Sequence, residues 1–210
     1  MRIPVLLEIA NKTVIAVGGG VVAARRVPPL LDAGADITLI APALHPVLQQ
    51  LYESGQIQWQ AREAYVNEQF NSRLLLLMTE KEELNQALYE KKQPHQLVYL
   101  ANDAQKSDLH FPAVLQKGQL TIAVSTNGAS PIYAKRLRNK LADQLPADIE
   151  GDLDFLDQAR KRIIAHPLKP KQRKQLLEQI TTEEFLRQEN RQNQFDKLLE
   201  ILKEETSNYQ

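Results

Sequence analysis

The stretch Thr13-Val14-Ile15-Ala16-Val17-Gly18-Gly19-Gly20-Val21-Val22-Ala23 decides the fold. Its first five residues are apolar and β-branched enough to form a buried strand. Three glycines end that strand. A helix is predicted over residues 21–33, closed by Gly34, where a left-handed residue costs little. Strand, glycine turn and helix in direct succession give the pattern G-x-G-x-x-A its meaning. Gly18 allows the tight turn, Gly20 lets the backbone approach a pyrophosphate, and Ala23 lets the helix sit close to the sheet. The helix N-terminus then faces the phosphates. Gly18, Gly19, Gly20, Val21, Val22 and Ala23 are therefore candidate dinucleotide-binding residues.

Further along, the same alternation continues. Strands are predicted at 37–41, 57–60, 74–78 and 97–100, with helices at 45–53 and 81–91 between them. The run Leu74-Leu75-Leu76-Leu77-Met78 is apolar throughout, as expected of a strand buried on both faces. Strands and helices at this spacing imply a parallel sheet with right-handed crossovers. The fold class is α/β, a Rossmann-type doubly wound parallel sheet. Two irregularities stand out. Pro28 and Pro29 lie inside the first helix, and an interior proline costs about 3 kcal/mol, so a kinked or short helix is expected. The acid that grips a ribose hydroxyl about 20 residues past the glycines is missing. Ile40-Ala41-Pro42 stands there, and Asp36 lies at the other end of the strand, so NAD and NADP are not distinguished by this rule.

Beyond residue 110 the pattern changes. Residues 111–115 and 120–124 read as a hairpin around Lys117-Gly118, and Ser125-Thr126-Asn127-Gly128 is a polar loop. Ser130-Pro131 looks like an N-cap with proline at the first helical position. The helix it opens carries Lys135, Arg136, Arg138 and Lys140 and presents its positive end to an anion. After Gly151 there is no further glycine, and Gln, Glu, Lys, Arg and Leu dominate, a helical composition. Leu153, Leu156, Ala159 and Ile163 mark one apolar stripe, and Leu176, Leu177 and Ile180 a second. Thr181-Thr182-Glu183-Glu184 offers a capping box for a third helix, faced by Phe185, Phe195, Leu198, Leu199 and Leu202. A second basic stretch, Arg160 to Lys174, reads as an exposed helical face in preference to a lid over carboxylates.

The totals exclude several classes. The 210 residues carry 26 Lys and Arg against 26 Asp and Glu, so bulk charge does not hold the chain to nucleic acid or an anionic membrane. Cysteine is absent, which removes disulfides, thiolate metal sites and thiol catalysis. No apolar run reaches the roughly 20 residues of a membrane span, and the first residues do not read as a signal peptide. A cytoplasmic protein is expected. The four histidines are scattered, and no metal site is predicted.

Four motifs carry a family resemblance. They are Val17-Gly18-Gly19-Gly20-Val21-Val22-Ala23-Ala24-Arg25-Arg26, Thr79 with Leu84-Asn85, Leu109-His110-Phe111-Pro112-Ala113, and Ser125-Thr126-Asn127-Gly128-Ala129-Ser130-Pro131. In order and spacing they resemble the precorrin-2 dehydrogenases, which also form the N-terminal module of siroheme synthase. The resemblance spans residues 1 to about 145. It implies NAD as cofactor, oxidation of precorrin-2 to sirohydrochlorin, and a homodimer. Some members also insert iron or cobalt into the product. The implied division is a Rossmann domain over 1–110, a small α+β dimerisation segment over 111–146 and a helical domain over 147–210. By the same resemblance Thr79 joins the cofactor site. Ser125, Thr126, Asn127, Gly128, Lys135, Arg136 and Arg138 are candidates for binding the tetrapyrrole carboxylates.

The sequence also departs from the family. Asn102 stands where the family has its catalytic aspartate, with Asp103 next to it, and these two are the candidate catalytic residues. Leu77 and Met78 replace small residues at a strand end that faces the cofactor, and Tyr99 replaces an asparagine. An asparagine amide is not a general base near neutral pH. A second reading therefore stands beside the enzyme: a carrier or regulator on the same fold that binds a tetrapyrrole or nucleotide without redox chemistry. A nucleotide-sensing module of a transporter is disfavoured by the Ser125–Pro131 segment and the basic helix after it.

Overall fold

The computed structural model describes residues 2–207, with side chains as far as residue 204. The chain divides into two compact units at Phe111 and Pro112. Among the described residues, no helix is long and apolar enough to cross a membrane.

The first unit is a five-stranded parallel sheet. Its elements are β1 (Thr13–Val17), α1 (Val21–Asp32), β2 (Asp36–Ile40), α2 (Pro46–Glu53), β3 (Gln58–Gln60), β4 (Leu74–Leu77), α3 (Glu82–Glu90) and β5 (Leu97–Leu100). The strand order is β3-β2-β1-β4-β5. The chain thus builds outward from β1 through β2 and β3, then returns to the other side of β1 with β4. Alternate side chains of each central strand enter different cores, as a period of two requires. Val14, Ala16, Ile37, Leu39, Leu74 and Leu76 pack with Ala23 and Val27 of α1 and Leu48 of α2. Val17, Ile40, Leu75, Leu77, Val98 and Leu100 pack with Leu84 and Leu88 of α3. Both faces are covered, which is the doubly wound arrangement.

The expected shortening of α1 at Pro28 and Pro29 is not found. Helix α1 continues through both prolines and ends at Asp32, only three residues later. Ala23 and Val27 are fully buried, and Leu30 and Leu31 pack on the same core. That burial, at about 25 cal/mol per Å² of apolar surface, offsets the lost helix bonds.

The second unit opens with an antiparallel hairpin, β6 (Ala113–Lys117) and β7 (Leu120–Val124). Pairing starts two residues later than the sequence suggested, and Gly118 supplies the turn with φ of 51°. Helix α4 (Pro131–Asp143) packs on the pair. Four helices follow: α5 (Ile149–Ala165), α6 (Pro170–Ile180), α7 (Glu183–Leu186) and α8 (Arg191–Ser207). Their core is Phe155, Ala159, Ile163, Leu168, Leu176, Ile180, Phe185, Phe195 and Leu199.

Two expectations are corrected here. The buried stripe of α5 is led by Phe155, which the sequence reading omitted, and Leu153 lies outside the core. The third helix is broken in two. Thr182 caps α7 by accepting from the Phe185 amide, and the helix stops at Leu186. The break lets Arg191 donate to the Leu186 and Gly151 carbonyls and pair with Asp152, its guanidinium lying 5.2 Å from the Phe155 ring centre.

Candidate functional site

In an open α/β sheet, ligands bind outside the carboxyl ends of the strands where the winding direction reverses. Here that point lies between β1 and β4. The glycine loop leaves β1 at this place, and Met78-Thr79 leaves β4 beside it. Two ladder bonds continue past the strands, from the Gly18 amide to the Ile40 carbonyl (2.9 Å) and from the Met78 amide to the Val17 carbonyl (2.8 Å).

The three glycines serve different needs. Gly18 has φ of 111°, and a Cβ there would lie 2.6 Å from the Met78 carbonyl oxygen. A Cβ on Gly19 would lie 2.3 Å from the Ala43 carbonyl oxygen, and the Gly19 carbonyl accepts from the His45 amide at 2.8 Å. Both are required for backbone to pack on backbone. A Cβ on Gly20 would meet nothing within 4 Å. Gly20 is the N-cap of α1, no side chain caps it, and no acid stands in the first turn. The first turn of α1 thus has no capping side chain, and open space lies beside Gly20. Val21 and Val22 are exposed in that turn, whereas Ala23 is fully buried. A pyrophosphate fits this donor set, because an open helix N-terminus stabilises an anion.

Asp36 pairs in register with Thr13 at the amino end of β2, remote from the glycines. The carboxyl end of β2 leads into Ala41, Pro42, Ala43, Leu44 and His45, with no carboxylate. Leu77 and Met78 do not crowd this mouth. Leu77 is buried in the α3 core and Met78 in the α1 core. Tyr99 also turns inward, edge-on to Phe111 at 5.1 Å, with the Arg26 guanidinium 4.5 Å from the Phe111 ring centre.

Thr79, Asn85 and Asn102 form one polar cluster. Asn85 is fully buried on α3. Its Oδ1 accepts from the Thr79 hydroxyl (2.7 Å) and amide (3.2 Å). Its Nδ2 donates to the Thr79 carbonyl (2.9 Å) and to Asn102 Oδ1 (3.4 Å). The sequence reading placed Asn85 in a motif but gave it no role. Its signal was a polar residue at a helix position whose neighbours Leu84 and Leu88 are apolar.

Asp103 is turned to local use. Its Oδ1 accepts from the Gln105 amide (2.9 Å) and the Lys106 amide (3.2 Å), and its carboxylate lies 3.8 Å from the Lys106 ammonium. His110 is half-buried, and burial, with the charge of Arg2 adding to it, holds its imidazole below the usual range.

The polar loop of the second unit is held by its own hydroxyls. Ser125 Oγ accepts from the Asn127 amide (3.2 Å), and Thr126 Oγ1 from the Ser130 amide (3.0 Å). Asn127 and Gly128 both take positive φ, 53° and 93°. Ser130 Oγ caps α4 through the Tyr133 amide at 3.2 Å. Lys135 and Arg136 are exposed. Arg138 differs: it is half-buried and donates to the Val114 carbonyl at 3.3 Å, tying α4 to β6. In the second basic stretch, Lys161, Arg162 and Lys174 pair with Asp157, Asp196 and Glu178. Among the described residues, no group of three or more His, Asp or Glu side chains is gathered as a metal site.

Fold and loop together define a protein of the NAD(P)-binding α/β class. A family model described as "Putative NAD(P)-binding" matches residues 5–113. The central model of sirohaem biosynthesis proteins matches 117–144, and the SirC C-terminal domain matches 151–195. The siroheme synthase of Actinobacillus pleuropneumoniae serotype 3 is 28% identical over 207 residues, covering 98% of this chain and 43% of that protein. The precorrin-2 dehydrogenase of Bacillus subtilis is 29% identical over 160 residues, covering 76% of this chain and 99% of that protein. The solved structure of SirC, a precorrin-2 dehydrogenase, superposes with a TM-score of 0.81 at 26% identity and covers 95% of this chain and 99% of that one. The chain belongs to the precorrin-2 dehydrogenase and siroheme synthase family. It spans less than half the length of the siroheme synthase it matches.

Proposed function

We propose that this protein oxidises precorrin-2 to sirohydrochlorin with NAD⁺ in siroheme biosynthesis, in the cytoplasm. The observation that carries the reading is the uncapped N-terminus of α1 at the β1–β4 switch point, in a chain that matches the three consecutive family segments. The reaction removes one hydride and one proton from the substrate. When bound, the nicotinamide supplies the hydride acceptor. Gly18, Gly19, Gly20, Val21, Val22, Ala23 and Thr79 are the residues assigned to hold the dinucleotide. Gly20 and the first-turn amides take the pyrophosphate, while Gly18 and Gly19 keep the loop in place.

Asn102 and Asp103 are assigned to the catalytic loop. Of the two, Asn102 is exposed and Asp103 is engaged with its own turn. Ser125, Thr126, Asn127, Gly128, Lys135 and Arg136 are assigned to the carboxylates of the substrate. The oxygens of Ser125 and Thr126 accept within the loop, which leaves their hydroxyl hydrogens free to donate outward. Arg138, proposed from the sequence for the same task, is better read as fastening α4 to the hairpin. The division into 1–110, 111–146 and 147–210 assigns dimerisation to the middle segment. Helix α4 supports this, because Tyr133, Leu137 and Leu141 form an exposed stripe at a spacing of four, next to exposed Ile132. A second copy of the chain is the proposed occupant. Sedimentation of wild type as a dimer, and of Leu137→Glu as a monomer, is expected.

Purified protein mixed with precorrin-2 and NAD⁺ is expected to form NADH and sirohydrochlorin in equal amounts. Folded protein that binds NADH and sirohydrochlorin but turns nothing over would overturn the enzyme and favour the carrier.

A further inference from the structure

The orientation of Asn85 is fixed by groups that have no choice. A backbone amide can only donate and a backbone carbonyl can only accept. The Thr79 amide therefore faces Asn85 Oδ1, and the Thr79 carbonyl faces Asn85 Nδ2. The Thr79 hydroxyl adds a second donor to the same oxygen. What Asn85 offers to residue 102 is an N–H, so residue 102 must answer with an acceptor. Asn102 does so with Oδ1 at 3.4 Å. Its Nδ2 then points away from Asn85 and has no protein partner among the described residues.

We propose that Asn85 is a positioning residue that sets the polarity of side chain 102, and that Asn102 in consequence presents an amide donor to an anionic group of the substrate. The donor role rests on the dehydrogenase reading; the positioning does not. An amide donor holds a carboxylate and takes up no proton. The proton released on oxidation passes to water, while the hydride goes to the nicotinamide. A carboxylate at position 102 would also satisfy Asn85, since it accepts from the same N–H. That makes position 102 exchangeable between a donor and a base without disturbing Thr79.

The test places a carboxyl at the position with Asn102→Asp and follows it by ¹³C NMR titration. The same titration is run with Asn85→Ala added. An N–H directed at the charged form lowers a carboxyl pKa, so losing Asn85 is expected to raise the midpoint, by about one unit or somewhat less at this exposed position. A midpoint that does not move overturns the positioning role. If Asn85→Ala fails to fold, Asn85→Ser retains a polar group but is too short to reach position 102, and the same comparison decides. For the donor role, kcat/KM for precorrin-2 is measured against pH. Asn102→Asp is expected to gain an ascending acid limb that wild type lacks. A limb of the same midpoint in wild type overturns the donor role. A shifted titration with no turnover in either protein supports the positioning and overturns the dehydrogenase reading instead.

Discussion

Two helices in this molecule begin after a polar turn, and they are finished in different ways. Helix α1 follows three glycines, and its N-cap brings no side chain. Helix α4 follows Ser125–Ser130, and its N-cap Ser130 closes on the Tyr133 amide while Pro131 contributes no N–H at all. The first turn is held from outside, by the ends of β2 and β4 and the segment before α2. The second is held from within, by Ser125, Thr126 and Ser130. An open helix end is a binding site in waiting; a capped one has already used its donors. The expectation that α4 offers its positive end to an anion is weakened by this cap. The anion-binding role proposed for the second unit then rests on side chains, Lys135 and Arg136 above all.

The contrast can be broken most sharply at Gly19. A Cβ there lies 2.3 Å from a backbone oxygen, so Gly19→Ala is expected to cost several kcal/mol or prevent folding, read by thermal unfolding. Gly20→Ala is expected to leave the melting temperature nearly unchanged, because nothing lies within 4 Å, yet to weaken NADH binding about tenfold. Normal NADH affinity in folded Gly20→Ala would end the assignment of the loop.

A smaller effect comes from exchanging the two endings. Ser130→Ala is expected to cost about 1 kcal/mol of stability, as loss of an N-cap does. Gly20→Ser is expected to supply the missing cap and to lower dinucleotide affinity at the same time. Calorimetric unfolding and NADH titration of both variants check the pair. Equal affinity in Gly20→Ser and wild type would mean that the open end is not used.

The smallest expected effect separates the units by acid. The Arg62 hydrogen bond holds the Glu68 carboxyl below its usual range, with backbone and charge effects adding and burial opposing. A depressed carboxyl stabilises the fold above its unfolded pKa of about 4.3. That contribution is lost as pH falls from there through the folded value. Glu68→Gln is expected to flatten the acid loss of stability in the first unit by less than about 1 kcal/mol. An unchanged acid profile would remove the pair from the account.

The first unit was the more legible in sequence, because its glycines and its leucine run act where they stand. Gly18 ends β1 and Leu74 to Leu77 fill β4, each through local geometry. Failures began where distant packing decided. Pro28 and Pro29 were expected to kink or shorten α1, but the helix runs on to Asp32, with Val27, Leu30 and Leu31 packed in the core. On α5 the stripe read from Leu153 omitted Phe155, which is buried because Phe185 and Phe195 arrive from later helices to pack against it. The break before α8 carries neither glycine nor proline; it is set by Arg191 reaching back to Gly151 and Asp152. At the candidate site, the glycine loop was readable from its pattern. The cluster of Thr79, Asn85 and Asn102 was not, since it joins the ends of two strands and a helix.

The reach of Arg191 also orders events on the ribosome. The first unit has all its strands once residue 100 has emerged, and its outer contacts once Phe111 has. Helix α5 begins at Ile149 with its first turn capped by Asp148, yet its core stays open until Phe195 and Leu199 arrive, and the Gly151 carbonyl and Asp152 wait for Arg191. With synthesis at roughly 5–20 residues per second, the helical part waits several seconds with Phe155 only partly covered. The sheet is finished by then, so the nascent helices mature only after the first unit has all its strands.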